Sequence, residues 1–145
     1  MTETNPLVHE KRDAKSTADT ASSNFQFAVG YNTVFWPPFV EYENRVLRQD
    51  FDLEELRRFE QQYSGDRKSI EAAMNRLRLT DIEYDGCEAF TRERVLFLGG
   101  VLRDIYEAKL AWEFPTRRFK VIFDDAHQEH LTRYNLTFFQ VPVVK

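Results

Sequence analysis

The chain has 145 residues, with 24 acidic residues against 20 lysines and arginines and a formal net charge of −4. This length fits one domain, and the interleaved charges lack the basic stripe typical of nucleic-acid binders, which disfavours nucleic acid as a partner. A single cysteine excludes an intramolecular disulfide framework, and neither a secretory signal nor a long apolar run is visible, so we expect a cytoplasmic protein without a membrane-spanning helix.

The aromatic residues begin abruptly at residue 25. All 13 Phe, six Tyr and two Trp lie between Phe25 and Phe139, whereas the residues before them are rich in Ser, Thr, Ala and Asp. A segment of that composition cannot bury enough apolar surface to offset the entropy lost on ordering. We therefore predict a flexible tail over residues 1–24 and a single α+β domain over residues 25–145.

The first predicted element of the domain is a strand. Phe25, Phe27, Val29 and Tyr31 alternate with small or polar residues, which is the pattern of a half-buried strand. The segment Trp36–Phe39 ends it, because its two central prolines cannot donate to a strand ladder. We interpret this segment as a rigid turn whose two aromatic residues flank the core, in preference to a docking element for a partner.

The next segment, Phe39–Arg48, is compatible with two structures. Pro38 could occupy the first position of a helix, but Val40, Tyr42 and Val46 also alternate as in a strand. A strand or an irregular segment is favoured.

Two helices with clear start signals follow. Asp52 can cap a helix over Leu53–Tyr63, where Glu55 completes a capping box. Asp66 can cap the second helix. Its apolar residues recur at helical spacing: Ile70, Ala73, Met74 and Leu77.

The longest predicted helix begins after Thr91 and is expected to be central. Its predicted core stripe is Val95, Leu98, Leu102, Ile105, Lys109 and Trp112. Further apolar residues widen this face: Leu96, Phe97, Val101 and Leu110. The pair Gly99–Gly100 in its middle is interpreted as a site of close packing, with a ligand contact or a hinge as the alternative.

After Pro115 the pattern returns to strands. Phe119, Val121 and Phe123 alternate with more polar residues, and a second run extends over residues 134–143. A polar loop over residues 125–133 joins the two runs, which predicts a C-terminal β-hairpin. The complete pattern predicts an α+β fold with an antiparallel sheet of three to four strands packed on about three helices.

An acidic connection before the longest helix resembles a calcium loop in part. Asp81, Glu83 and Asp85 fall at its first, third and fifth positions. The twelfth position, where a glutamate normally supplies two oxygen ligands, is Arg92. An ordinary acidic loop is therefore the favoured interpretation, and calcium binding is the alternative.

The loop of the predicted hairpin holds a second candidate metal site. His127 and His130 are three residues apart and follow Asp124 and Asp125, and imidazole and carboxylate groups are common ligands of divalent metals. A third ligand that would complete a zinc site is not in view, so a solvated loop is favoured.

Two further groups have simple structural interpretations. Cys87 has no histidine near it in sequence that could activate a thiolate, so a small buried residue is favoured over a nucleophile. Arg117, Arg118 and Lys120 open the first strand of the hairpin, where charge on an edge strand protects against aggregation.

The leading functional hypothesis is a non-enzymatic binding or assembly module without a cofactor. In the last predicted strand Phe139, Val141 and Val143 lie on one face, whereas Leu136 and Phe138 lie on the other. Apolar groups on both faces indicate burial on both sides, by helices on one and by a partner subunit on the other. A homodimer through the C-terminal strands is the simplest version.

Two other hypotheses stay open. The protein could be a metal-dependent or acid–base enzyme that uses the acidic and histidine loops described above. An aromatic-lined pocket for a small-molecule ligand is also compatible with this composition.

Overall fold

The computed structural model describes residues 31–82 and 91–143. The predicted tail, most of the first predicted strand, and Glu83, Asp85 and Cys87 lie outside these ranges. Residues 31–33 belong to a different compact unit from the rest, so packing is described from Val34 onward. In the described part of the chain, no helix combines the length and the apolar character needed to cross a bilayer.

The first predicted strand is wrong at its described end, because residues 31–35 are helical. Tyr31 and Phe35 are four residues apart, a spacing that places two side chains on one face of either a helix or a strand. Alternation over so few residues does not distinguish the two structures.

The segment Phe39–Arg48 is a β-hairpin, which confirms the strand interpretation. Strand β1 (Phe39–Tyr42) pairs antiparallel with β2 (Arg45–Arg48). The two turn residues Glu43 and Asn44 have φ angles of 52° and 67°, so this is a two-residue loop with both residues in the left-handed region.

Two helices follow the hairpin, each started by the predicted aspartate. Helix α1 (Leu53–Gln62) begins where the Asp52 side chain accepts a hydrogen bond from the N–H of Glu54, and α2 (Arg67–Met74) begins where Asp66 accepts from the N–H of Ser69. A small core forms between the hairpin and these helices. Its fully or nearly buried members are Leu47, Leu56, Ile70 and Met74.

The second sheet contains the predicted C-terminal hairpin. Strand β4 (Arg118–Phe123) pairs antiparallel with β5 (Asn135–Val141), in the register that sets Val121 opposite Phe138. The short strand β3 (Leu77–Arg78) pairs with the other side of β5, so the order is β3-β5-β4. The protein has the predicted α+β fold, with two small antiparallel sheets instead of one.

The longest helix within residues 31–82 and 91–143, α3 (Arg92–Glu113), packs on β4. Thr91 caps it as predicted, by accepting from the N–H of Arg94. The helix and the strand are in close contact at Gly99, where a Cβ atom would overlap the ring of Phe123. The prediction of close packing at the glycine pair is therefore confirmed for Gly99, whereas a Cβ at Gly100 would meet open space.

Strand β5 is buried on both faces by this chain alone. On one face the Phe138 ring lies 5.1 Å from the ring of Phe39 and 5.9 Å from that of Tyr106. On the other face the Thr137 hydroxyl donates to the Ala72 carbonyl of α2, at 2.5 Å. The two-sided apolar pattern of β5 therefore does not require the partner subunit that we inferred from it.

Two buried polar side chains, one in α2 and one at its C-terminal cap, connect the two sheets. The Glu71 carboxylate accepts from the N–H of Val46 in β2 at 3.0 Å and from the N–H of Gln140 in β5 at 2.8 Å. Asn75 donates to the Val46 carbonyl at 3.0 Å and accepts from the N–H of Arg48 at 3.1 Å. Both side chains are fully buried, so each of these bonds replaces a hydrogen bond to water that a backbone group loses on folding.

Replacing Gly99 by alanine should lower the free energy of unfolding by about 1–3 kcal/mol, because the new methyl group would push against the Phe123 ring. Gly100→Ala is the matched control, and it should raise the free energy of unfolding by up to about 1 kcal/mol. Urea unfolding measures both variants. A change of the same sign and size in both would contradict the close approach at Gly99.

Replacing Glu71 by glutamine should lower the free energy of unfolding by about 1–3 kcal/mol, since the amide group turns one acceptor oxygen into a donor that faces a backbone N–H. Glu54→Gln, at an exposed position of α1, is the control and should change this free energy by about 0.5 kcal/mol or less. Equal stabilities of the two variants in chemical denaturation would refute a central role for Glu71.

Candidate functional site

The outer edge of β4 is the first candidate interaction site. The sheet order places β4 at one end of the three-stranded sheet, and within residues 31–82 and 91–143 no strand pairs with its outer side. Alternate N–H and C=O groups along such an edge are available to pair with another strand. This edge is a template for strand addition.

The side chains of β4 differ between its two faces. Val121 and Phe123 are buried on the face that α3 covers, and Phe119 is half-buried there. The opposite face presents Arg118, Lys120 and Ile122, all exposed. The edge therefore combines an apolar inner face with a basic outer one.

A cleft of about 230 Å³, here called the edge cleft, lies between α3 and β4. The helix contributes Glu107, Leu110 and Ala111 to it, and the strand contributes Arg118 and Phe119 among others. Its volume is below the range of roughly 300–1,000 Å³ typical of pockets for drug-sized ligands. This geometry suits side chains of a strand laid along β4 better than an enclosed small molecule.

Arg117 differs from its two basic neighbours, because it is engaged within the fold. It donates to the Gln140 side chain at 2.7 Å and forms an ion pair with Glu41 of β1. Arg118 and Lys120 instead point to solvent from the edge strand, where the sequence pattern predicts protective charge. The predicted basic group is thus divided between a structural contact and the open edge.

The outward face of α3 is the second candidate interaction site. Phe97 and Trp112 are 74% and 71% exposed, and between them lie the half-buried Val101 and Ile105 and the exposed Ala108. These five residues, here called the outer stripe, recur at intervals of three and four and so share one face of the helix. Single exposed apolar residues are ordinary, but a contiguous set marks an interaction surface.

The outer stripe corrects the predicted orientation of α3. The sequence pattern assigns Trp112 to the core stripe, yet it is mostly exposed. The side chains that α3 buries are Val95, Leu102, Tyr106, Lys109 and Leu110, together with the backbone at Gly99. Apolar residues occur on both the inward and the outward side of the helix, so their spacing alone does not identify the inward face.

The segment Trp36–Phe39 crosses the C-terminal end of α3. Phe39 is buried in the core as predicted, while Trp36 is 46% exposed and its ring lies 6.0 Å from that of Trp112. Lys109 is buried beneath these rings, where its Nζ lies 5.0 Å from the Phe39 ring and donates to Glu113 at 2.7 Å. The aromatic segment therefore fixes this end of the helix and borders the outer stripe.

The described members of the predicted metal sites are exposed. Asp81 ends a short 3₁₀ helix, Leu79–Asp81, with its carboxylate 4.0 Å from the Arg78 guanidinium. His127 and His130 lie in the loop between β4 and β5. Over residues 31–82 and 91–143, no three His, Cys, Asp or Glu side chains form a group that could hold a metal ion. Because Glu83 and Asp85 lie outside these residues, the metal-site hypothesis stays a prediction.

The fold brings the described ends of these two loops to one end of the molecule. The N–H of Leu79 donates to the Tyr134 carbonyl at 3.1 Å, and Arg92 Nη2 donates to the Gln128 carbonyl at 2.6 Å. Arg92 occupies the sequence position at which a calcium loop needs a bidentate carboxylate. Its guanidinium instead holds the histidine loop, which is a structural role.

Calcium at millimolar concentration should leave the melting temperature of the protein unchanged, because Arg92 binds the neighbouring loop where a calcium ligand would be required. Zinc should raise it no more in the parent protein than in the variant His127→Ala/His130→Ala. Differential scanning fluorimetry measures both effects. A metal-dependent rise that the double variant abolishes would instead support a metal site, and with it the enzyme hypothesis.

Comparison with known proteins identifies no relative. No protein-family model matches this chain, and no match was found among curated proteins or solved structures. Function is therefore inferred from the two surfaces described above.

Proposed function

We propose that this protein is a non-enzymatic assembly module that forms a homodimer through its C-terminal strands, with β4 of one copy paired to β4 of the other. The observation that carries the proposal is the open edge of β4 beside the edge cleft. Antiparallel pairing of two such edges across a two-fold axis gives a continuous six-stranded sheet in which neither β4 edge is open. A cytoplasmic location is part of the proposal, since one cysteine suits a reducing compartment.

The charges along β4 favour one register for this pairing. A two-fold axis at Val121 sets Arg118 of one copy opposite Asp124 of the other, and it sets Lys120 opposite Ile122. Side chains in directly opposed positions have Cβ atoms about 5 Å apart, so opposite charges attract and like charges repel. An axis at Lys120 would instead place the two Lys120 side chains against each other.

The helix above the sheet is compatible with this arrangement. The two-fold axis is perpendicular to the sheet, so the two α3 helices lie antiparallel on the same face. The side of α3 that borders the edge cleft carries Glu107 beside Ala111, so the two helices must stay far enough apart to avoid like-charge repulsion. A Cβ at Gly100 would meet nothing within 4 Å, so this side of the helix is uncovered in one copy.

A charge swap tests the pairing. Arg118→Asp and Asp124→Arg should each weaken dimerisation by roughly tenfold or more, because each places two pairs of like charges opposite one another across the axis. The double variant Arg118→Asp/Asp124→Arg should restore it, since the opposed charges are again of opposite sign. Sedimentation equilibrium at several protein concentrations measures the dissociation constant.

Matched controls separate pairing from net charge. Arg133→Asp and Asp50→Arg make the same charge changes at exposed positions that lie outside β4 and outside its proposed register. Both should leave the dissociation constant within about twofold. A parent protein that stays monomeric at high concentration, or a double variant that is no tighter than the single ones, would exclude β4 pairing.

A further inference from the structure

The outer stripe of α3 is directed away from the sheet and has no part in the proposed β4 pairing. Viewed along the helix axis, Val101 is rotated by about half a turn from Gly99, and Ala108 by about half a turn from Tyr106. Gly99 and Tyr106 face the sheet, so Val101 and Ala108 face away from it. Nothing in the fold described from Val34 onward covers Phe97, which keeps 74% of its surface exposed. The stripe is therefore a second, separate surface.

The length of the stripe defines the size of its partner. Phe97 and Trp112 are 15 positions apart, which corresponds to about 22 Å along a helix. A helix of about four turns would span this distance and could place its own apolar residues between the two aromatic anchors. Tryptophan is among the residues that most often dominate the binding energy of an interface.

The side of the stripe that borders the edge cleft is acidic. Glu93, Asp104 and Glu107 are all exposed along this side and are here called the acidic flank. The base beside them is Arg103, whose Nε lies 3.5 Å from Asp104. Arg94 is also exposed, but it lies at the N-terminal end of the stripe itself. Charge is therefore distributed unequally between the two sides of the outer stripe.

This asymmetry selects against a second copy as the occupant. Two α3 helices packed antiparallel through their outer stripes would be related by a two-fold axis that sets the acidic flank of one against the acidic flank of the other. Like charges at such positions oppose pairing. A partner with bases on the corresponding side would instead be attracted.

We propose that the outer stripe binds an amphipathic helix of another protein, with an apolar face of about four turns and a row of Lys or Arg along one side. The apolar face covers Phe97 and Trp112, and the basic row lies against the acidic flank. An anionic membrane is a poorer occupant, because the acidic flank would be repelled by its surface charge.

Two synthetic helical peptides of 18 residues, used with the full-length protein, test this proposal. Both carry Leu at positions i, i+3, i+4 and i+7. One has Lys along one side, and its matched control has Glu at the same positions. The fluorescence of Trp112 and of the adjacent Trp36 reports binding, and these are the two tryptophans of the chain. The basic peptide should bind at least tenfold more tightly than the acidic one.

Surface variants identify the contacts. Phe97→Ser should weaken binding of the basic peptide by more than tenfold, while circular dichroism and the melting temperature stay near those of the parent because Phe97 is exposed. Glu93→Lys/Asp104→Lys should reverse the preference and favour the acidic peptide, and neither residue lines the edge cleft. Val143→Ser, at another exposed apolar residue outside α3, is the control and should bind as the parent does.

Other results would overturn the proposal. These are failure of the basic peptide to bind, equal binding of both peptides, or a fluorescence change with anionic phosphatidylserine vesicles but not with peptide. A shift of the protein to lower mass in Phe97→Ser would show that a second copy covers the stripe. The charge-swap variants that lose β4 pairing should still bind the basic peptide as the parent does. Failure of the homodimer proposal is therefore distinguishable from failure of the helix-binding proposal.

Discussion

The arrangement of the two sheets depends on the hydrogen bonds of two buried side chains, one in α2 and one at its C-terminal cap. Glu71 accepts from backbone N–H groups of both sheets, and Asn75 donates to carbonyls in both, those of Val46 and Phe138. An isolated two-stranded hairpin is marginally stable in water, so β1 and β2 need this attachment as well as their apolar contacts. The polar bonds also fix one relative position of the sheets, because any displacement would leave buried backbone groups without partners.

A second constraint sets which surfaces of the molecule remain accessible. Gly99 allows α3 to approach β4 so closely that the ring of Phe123 occupies the space of a side chain. The helix therefore covers the inner face of β4 and leaves the edge of the strand open. With one side of the helix fixed against the sheet, the opposite side must face outward, and Phe97 and Trp112 lie there. The outer stripe is therefore a consequence of this contact, whereas the open edge of β4 follows from the order of the strands.

The elements specified by local chemistry are those that sequence reasoning identifies. Asp52, Asp66 and Thr91 each cap the helix that they were expected to start, because a cap needs only the residues of the following turn. At residues 39–48 the sequence favours a strand without identifying the hairpin, since the turn at Glu43–Asn44 lacks the glycine that usually identifies such a loop. The inward face of α3 is predicted correctly at Val95, Leu102 and Lys109 but not at Trp112. The face is selected by a contact with a strand some 24 positions away in the chain, which the spacing of apolar residues does not contain.

The two proposals together imply a bivalent assembly. A two-fold axis perpendicular to the sheet keeps both α3 helices on one face of the dimer, so both outer stripes point to the same side. A partner that carries two amphipathic helices on a linker of suitable length could then engage both stripes, and the second contact would form at a high effective concentration. Each contact alone needs only modest affinity, and splitting the dimer at β4 would weaken the bivalent complex without altering either stripe. Such a design links self-association to partner binding through geometry alone, with no need for a conformational change between the two surfaces.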